Sequence, residues 1–214
     1  MKPTLFCFGI LLFICYAPSL IAQTASIKEN PKWNLASDWT LGVPLNGGKT
    51  TQNVDIKHNS AINFDLEIKN TVTISASHTF SSSREIKIGK GGKLIVYGKL
   101  IMNNEDMEMK DGGMLIVKDG GEVEGCAKCE IKAFDDGLAI ESGGEMLWKG
   151  EMVLEDQNST YTIDGKLSIN EFKNKAVVTG NGTVEVVEKW TTVGSYSIAI
   201  AKNVANNTHA CSRV

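Results

Sequence analysis

The sequence predicts an all-β fold: a single-stranded right-handed parallel β-helix with three strands per coil and about 22 residues in each coil. Three observations carry that expectation. An apolar triplet returns at a nearly fixed step, each return alternates in the manner of a strand, and glycine-rich corners separate the returns. Leu94-Ile95-Val96 follows Gly91-Gly92, and Leu115-Ile116-Val117 follows Gly112-Gly113. Leu138-Ala139-Ile140, Tyr161-Thr162-Ile163 and Val184-Glu185-Val186 continue the series. From Leu94 the steps are 21, 23, 23 and 23 residues, the mark of one structural unit stacked on itself.

Two more registers run between these triplets. Lys99-Leu100 is matched by Glu122-Val123, Glu145-Met146 and Lys166-Leu167. A third set comprises Ile86-Lys87-Ile88, Met107-Glu108-Met109, Cys129-Glu130-Ile131, Met152-Val153-Leu154 and Ala176-Val177-Val178. Three short strands and three turns fill one coil of about 22 residues. Leucine-rich repeats share the period but need an Asn or Cys at a fixed place and a longer run of Leu. Helical repeats need apolar spacing near 3.6, which no stretch sustains.

Alternation then assigns the faces. Leu94, Leu115, Leu138, Tyr161 and Val184 are expected to stack inward, beside Val96, Val117, Ile140, Ile163 and Val186. Ile88, Met109, Ile131, Leu154 and Val178 make a comparable column. Coils about 4.8 Å apart place each inward side chain on its equivalent in the next coil. Lys87, Glu108 and Glu130 point outward to solvent. Glycines and Asp-Gly pairs mark corners, where positive φ is cheap.

The chain divides into four parts. Residues 1–23 read as a secretory signal: Lys2, an apolar stretch from Leu5 to Tyr16, then Ser19-Leu20-Ile21-Ala22-Gln23 as a cleavage region. The apolar run is too short to span a membrane. A lipoprotein reading fails because Ile14 precedes Cys15. Residues 24–70 form an N-terminal cap and first coil, 71–190 the β-helix coils, and 191–214 a tail or incomplete cap. No other segment could span a membrane, so the mature chain is expected to be secreted or surface-exposed, without an integral membrane segment. With 22 basic against 25 acidic residues and no basic block, nucleic acid is excluded as a partner.

Trp33-Asn34-Leu35-Ala36-Ser37-Asp38-Trp39, Gly42-Val43-Pro44, Gly47-Gly48 and Val54-Asp55-Ile56 resemble the opening of secreted bacterial β-helix proteins of adhesin-like kind. There, a tryptophan pair, a G-x-P turn and a V-x-I strand introduce the coils. More distantly, the chain is similar to the extracellular domain named for eight conserved glycines. The resemblance implies a surface protein, often part of a large adhesin or polysaccharide-handling protein. Many such relatives carry a C-terminal sorting domain, of which the tail Asn206 to Val214 shows no clear sign.

Cys7 and Cys15 leave with the signal, and Cys126, Cys129 and Cys211 remain. Cys126-Ala127-Lys128-Cys129 reads as a small disulfide loop at a coil corner, which an exported protein permits. Plain core thiols and a redox-active pair are the alternatives. His58, His78 and His209 show no ligand spacing along the chain, and calcium-binding nonapeptides are missing, so neither a metal nor a cofactor is expected.

β-Helix polysaccharide lyases and hydrolases hold acidic residues on one outward strip of neighbouring coils. The candidates here are Asp111, Asp119, Asp135, Asp136, Glu141 and Asp164, mostly at turn-forming corners. Glu122 and Glu145 stack one coil apart between Lys99 and Lys166, either as a carboxylate pair or as a solvated charge ladder. No residue is assigned a catalytic role. Ile95 and Ile116 point outward next to Tyr97, before the column continues to Ala139, Thr162 and Glu185. An outward apolar strip can mark a contact surface, and these three residues are the candidate binding site for an extracellular glycan or protein. Trp148 falls at an inward position and Trp190 could cap the last coil. An ice-binding face would need a regular column of Thr, and Thr162 is expected to stand alone. The functional expectation is a non-catalytic structural or adhesive module, the alternative a polysaccharide-degrading enzyme.

Overall fold

The computed structural model describes residues 23–192. Residues 1–22 of the expected signal, most of the expected tail, His209 and Cys211 lie outside the described residues. The chain winds as a parallel β-solenoid with three strands per coil. The first face is an eight-stranded sheet: Gln23–Ala25, Asn53–Ile56, Thr71–Ile74, Lys93–Val96, Met114–Val117, Leu138–Ile140, Thr160–Ile163 and Val177–Thr179. All its pairings are parallel. The second face begins with Ser60–Ile62, Thr79–Ser82, Lys99–Met102 and Glu122–Gly125. The third holds Lys49–Thr50, Leu66–Ile68, Ile86–Ile88, Met107–Met109 and Glu130–Ala133.

Towards the C-terminus the corner between these two faces closes up. It spans Asn103 to Asp106 in one coil and Cys126 to Cys129 in the next. It then shrinks to Lys149-Gly150 inside the continuous strand Glu145–Leu154, and to Asn170 inside Lys166–Asn174. The register shifts at both points, between Trp148 and Glu151 and between Ile169 and Glu171. Such bulges bend a strand around a corner without a separate loop.

The observed registers correct several sequence expectations. Along the first face the paired positions are Val54, Val72, Leu94, Leu115, Leu138, Tyr161 and Val178, at steps of 18, 22, 21, 23, 23 and 17 residues. Val178, not Val184, therefore follows Tyr161, while Val184 and Val186 belong to the second face, opposite Leu167 and Ile169. The outward column accordingly ends in Thr179 rather than Glu185, so Thr162 has a threonine neighbour. On the third face Met107 and Met109 pair with Ile131 and Ala133, a slip of two residues from the expected Cys129 and Ile131. Two residues preserve the in-out parity, so the inward and outward sets survive, but Lys132 replaces Glu130 opposite Glu108. That column ends not in Val178 but in the buried Asn174, opposite Leu154.

The interior is one apolar cluster running the length of the described coils. Leu94, Leu115, Leu138, Tyr161 and Val178 are all 1% exposed or less, and each buried aliphatic side chain contributes about 1.5–3 kcal/mol. Tyr161 enters this core because its hydroxyl donates to the carbonyl of Ala133 at 2.7 Å. Burial pushes its phenol well above the ordinary value.

Aromatics close the N-terminal end. The strand Gln23–Ala25 occupies the first face, and residues 26–44 cross over the open coil. Trp33 and Trp39 meet edge to face at 5.1 Å, and Trp33 packs on Phe80 at 5.5 Å. The Trp33 indole donates to Ser60 Oγ at 3.1 Å, and that of Trp39 to Lys32 O at 3.0 Å. Asp38, between the two tryptophans in sequence, is buried. Lys28 at 2.7 Å and the Lys32 N–H at 2.8 Å hold its carboxyl below the usual range. Leu45–Asn46 and Lys49–Thr50 form an antiparallel hairpin. Its turn residues Gly47 and Gly48 both have positive φ, 56° and 76°, as a two-residue hairpin loop requires.

Charge organises the outside of the third face. Lys49, Glu67, Lys87, Glu108 and Lys132 succeed one another with alternating sign across paired strands. Glu67 lies between Lys49, at 2.8 Å, and Lys69, and these ammonium groups bring its carboxyl down to about 2. A depressed carboxylate adds stability that is complete above its ordinary value of 4.5 and disappears as pH falls through about 2. Glu67→Gln is therefore expected to cost about 1 kcal/mol at pH 7, after solvent screening of a partly exposed pair. Urea unfolding of both proteins at pH 7 and pH 2 checks this, since most of the difference should be gone at the lower pH.

Candidate functional site

Parallel pairing sets Ile95 between Thr73 and Ile116, and carries the column on through Ala139, Thr162 and Thr179. Ile95 and Ile116 are half-buried by their neighbours, and both point outward, between the inward residues of their strands. Tyr97 is the first residue past its strand, and its N–H donates to Ile74 O at 2.9 Å. This sets it in the corner column with Ser75, Lys118 and Glu141, and the residue is 43% exposed. Ile95 and Ile116 thus lie in the central column of the first face, with Tyr97 at the corner beside them. Beside them, Lys118 and Glu141 form an ion pair, and the carboxylate raises the lysine above its ordinary value.

This face differs from the other two in chemistry. Its central outward column from Thr73 to Thr179 carries no charge over six coils. The corresponding third-face column is charged from Lys49 to Lys132, and the second-face column holds Glu124 and Glu185. Parallel strands at about 4.8 Å make the uncharged column a flat, regular strip. In the described N-terminal segment, Trp33 and Trp39 pack on each other, and Trp33 packs on Phe80 of the second face.

The carboxylate candidates are placed quite differently. Glu122 and Glu145 are in register, with Lys99 and Lys166 on either side. Lys99 lies 3.3 Å from Glu122 and 3.2 Å from Glu124, and Lys149 lies 2.9 Å from Glu124. Lys149 and Lys99 hold the Glu124 carboxyl below its ordinary value, while Glu124 and Glu122 raise Lys99. The arrangement is a lattice of compensated charges on an open sheet surface.

The aspartates are spread over different corners. Asp111, Asp135 and Asp136 adopt positive φ, at 55°, 51° and 58°, which Asp tolerates better than most residues. Asp119 lies over Gly143. Asp136 accepts the backbone N–H of Thr160, and Asp164 that of Asn181 at 2.8 Å. Asn53, Asn59 and Asp106 do the same for Thr71, Thr79 and Glu130 in the next coil. These side chains carry the interstrand ladder across corners where the backbone cannot. That use was not legible from spacing, because the partner lies 17 to 24 residues away.

Cys126 and Cys129 are joined by a disulfide, with Cα atoms 5.1 Å apart. The bond closes the last long corner between the second and third faces, and Cys129 is buried. The Trp148 indole donates to Cys129 O at 3.0 Å, so the next coil is tied to the same corner. Among the described residues no group of three or more His, Cys, Asp and Glu side chains could hold a metal ion. No helix among them is long and apolar enough to cross a membrane. Linear spacing of the histidines conveyed nothing, yet the coil step brings His58 and His78 side by side, with ring centroids 6.0 Å apart. The signal was available as a separation close to one coil. Comparisons with protein-family models, curated proteins and solved structures return no match to this chain.

Proposed function

We propose that this β-solenoid is an exported, non-catalytic module that holds an extended extracellular polymer, a glycan chain in the first instance, against its first face. The observation that supports the reading is the uncharged outward column from Thr73 through Ile95 and Ile116 to Thr179. A repeating polymer meets a repeating surface there. Half-buried aliphatics lose little conformational freedom on contact, and the exposed ring of Tyr97 offers a platform on which a sugar can stack. The expected signal segment at 1–23 and the resemblance to adhesin-like surface proteins support a contact outside the cell.

A panel of soluble and insoluble polysaccharides, scored for binding and for release of reducing ends, tests the proposal. Binding without turnover is expected, weakened at least tenfold by Ile95→Lys with Ile116→Lys and by Tyr97→Ala. Because all three side chains point outward, far-UV circular dichroism should not change. A polysaccharide-degrading enzyme is the second reading, favoured by the in-register Glu122 and Glu145. Reducing-end release that stops with Glu122→Gln or Glu145→Gln would establish it and overturn the first.

A further inference from the structure

His58 and His78 occupy one corner in neighbouring coils. Each stands two residues ahead of the positions Ser60 and Phe80, which pair directly. In the later coils the same corner is held by Gly98, Gly121, Gly144, Gly165 and Gly182, each just before a paired residue of the second face. A Cβ at Gly98 would lie 2.3 Å from His78 O, and one at Gly182 2.0 Å from Gly165 O. Side chains are thus accommodated at this corner only in the first two coils, and both are imidazoles.

The two rings meet edge to face, 6.0 Å apart with planes at 60°. His58 Nδ1 is 3.1 Å from Ser26 O, and His78 Nδ1 is 2.9 Å from Ala76 O. A carbonyl oxygen can only accept, so each Nδ1 carries a hydrogen and donates it. In the neutral ring the lone pair then resides on Nε2, and neither Nε2 has a hydrogen-bond partner among the described residues. Metal-ligating histidines are held in this way, with one nitrogen fixed on a carbonyl and the other presented. Two imidazoles bound at about 2.0–2.1 Å have centroids roughly 4.5 Å apart when cis on a tetragonal Cu2+ and roughly 5 Å apart on a tetrahedral Zn2+. Side-chain torsions supply the remaining change of about 1–1.5 Å. The nearby ammonium of Lys57 is drawn to Asp55 at 3.5 Å.

We infer that His58 and His78 form a two-imidazole site for a late first-row divalent cation, Cu2+ before Zn2+, with water completing the shell. Imidazole suits both ions, and Cu2+ stands highest in the affinity order. With two protein ligands the ion is exchangeable, and it staples the first two full coils to the N-terminal segment through Ser26.

Titration of the metal-free mature protein with Cu2+, and separately with Zn2+, in a non-chelating buffer at pH 7.5 provides the test. One ion per chain is expected, and the electron paramagnetic resonance spectrum of the Cu2+ form should report two imidazole nitrogens. His58→Gln and His78→Gln should each weaken binding at least about tenfold, and His209→Gln should leave it unchanged. The two-nitrogen spectrum is read on the unmodified protein, so it does not depend on whether the variants fold. No saturable binding up to 100-fold excess metal, binding that survives either single variant, or loss in His209→Gln would overturn the assignment.

Discussion

Trp148→Ala is expected to destabilise the solenoid by about 3–5 kcal/mol, the range for removing a buried large aromatic. Trp148 is fully buried in the inward column Met102, Gly125, Trp148, Ile169 and Val186. Its indole covers Gly125 so closely that a Cβ there would lie 2.3 Å from two ring carbons. Truncation removes those contacts and frees the carbonyl of Cys129 from its 3.0 Å hydrogen bond. The cavity has a natural filler from below. Gly125→Leu should be disruptive in the wild type, where ring and side chain collide, but should recover part of the loss in Trp148→Ala. Denaturant unfolding of the four proteins yields the coupling between the two positions. Additive effects would show that the column is not packed as described.

Gly113→Ala is expected to cost about 3 kcal/mol although it adds one methyl group. Gly113 closes the turn Lys110 to Gly113, its N–H bonded to Lys110 O at 2.9 Å. A Cβ would fall 2.1 Å from Ile88 O and 2.5 Å from Ile88 C in the previous coil. Backbone cannot yield as a side chain does, so the coils must separate locally. Its neighbour Gly112 is a control: nothing lies within 4 Å of a Cβ there, but φ is +76°. Gly112→Ala should cost only about 1–2 kcal/mol, and Gly112→Asn less. Midpoints from urea unfolding rank the three, and equal losses at both glycines would refute the close-approach explanation.

How far the sequence could be read follows from where the corners are ordinary. From Leu94 to Ile163 every corner between the first and second faces contains glycine, the first-face steps stay at 21 to 23, and the first-face register is as expected. Beyond Lys166 the chain turns at Asn170 without leaving the strand. Lys166 to Asn174 has no glycine, proline or Asp-Gly pair, which signals a continuous strand, but the fixed step obscured it. Val178 and Val184 were misassigned for that reason alone. The candidate strip was legible in part: Ile95, Ile116 and Tyr97 were found from alternation, while Thr179 required the true register.

The remaining division is between short-range and long-range information. Alternation with period two is a property of a few consecutive residues, so the inward and outward sets of each strand, the solenoid class and the turn positions could be read from the chain directly. Which strand lies on which depends on how many residues each corner consumes. That number is set by packing and backbone clearance between coils, as at Gly125 beneath Trp148, and is written in no local pattern. Only in the folded coils do residues about 20 apart become neighbours. That is why the aspartate caps, the uncharged column ending at Thr179, and the paired imidazoles of His58 and His78 emerge from the tertiary structure.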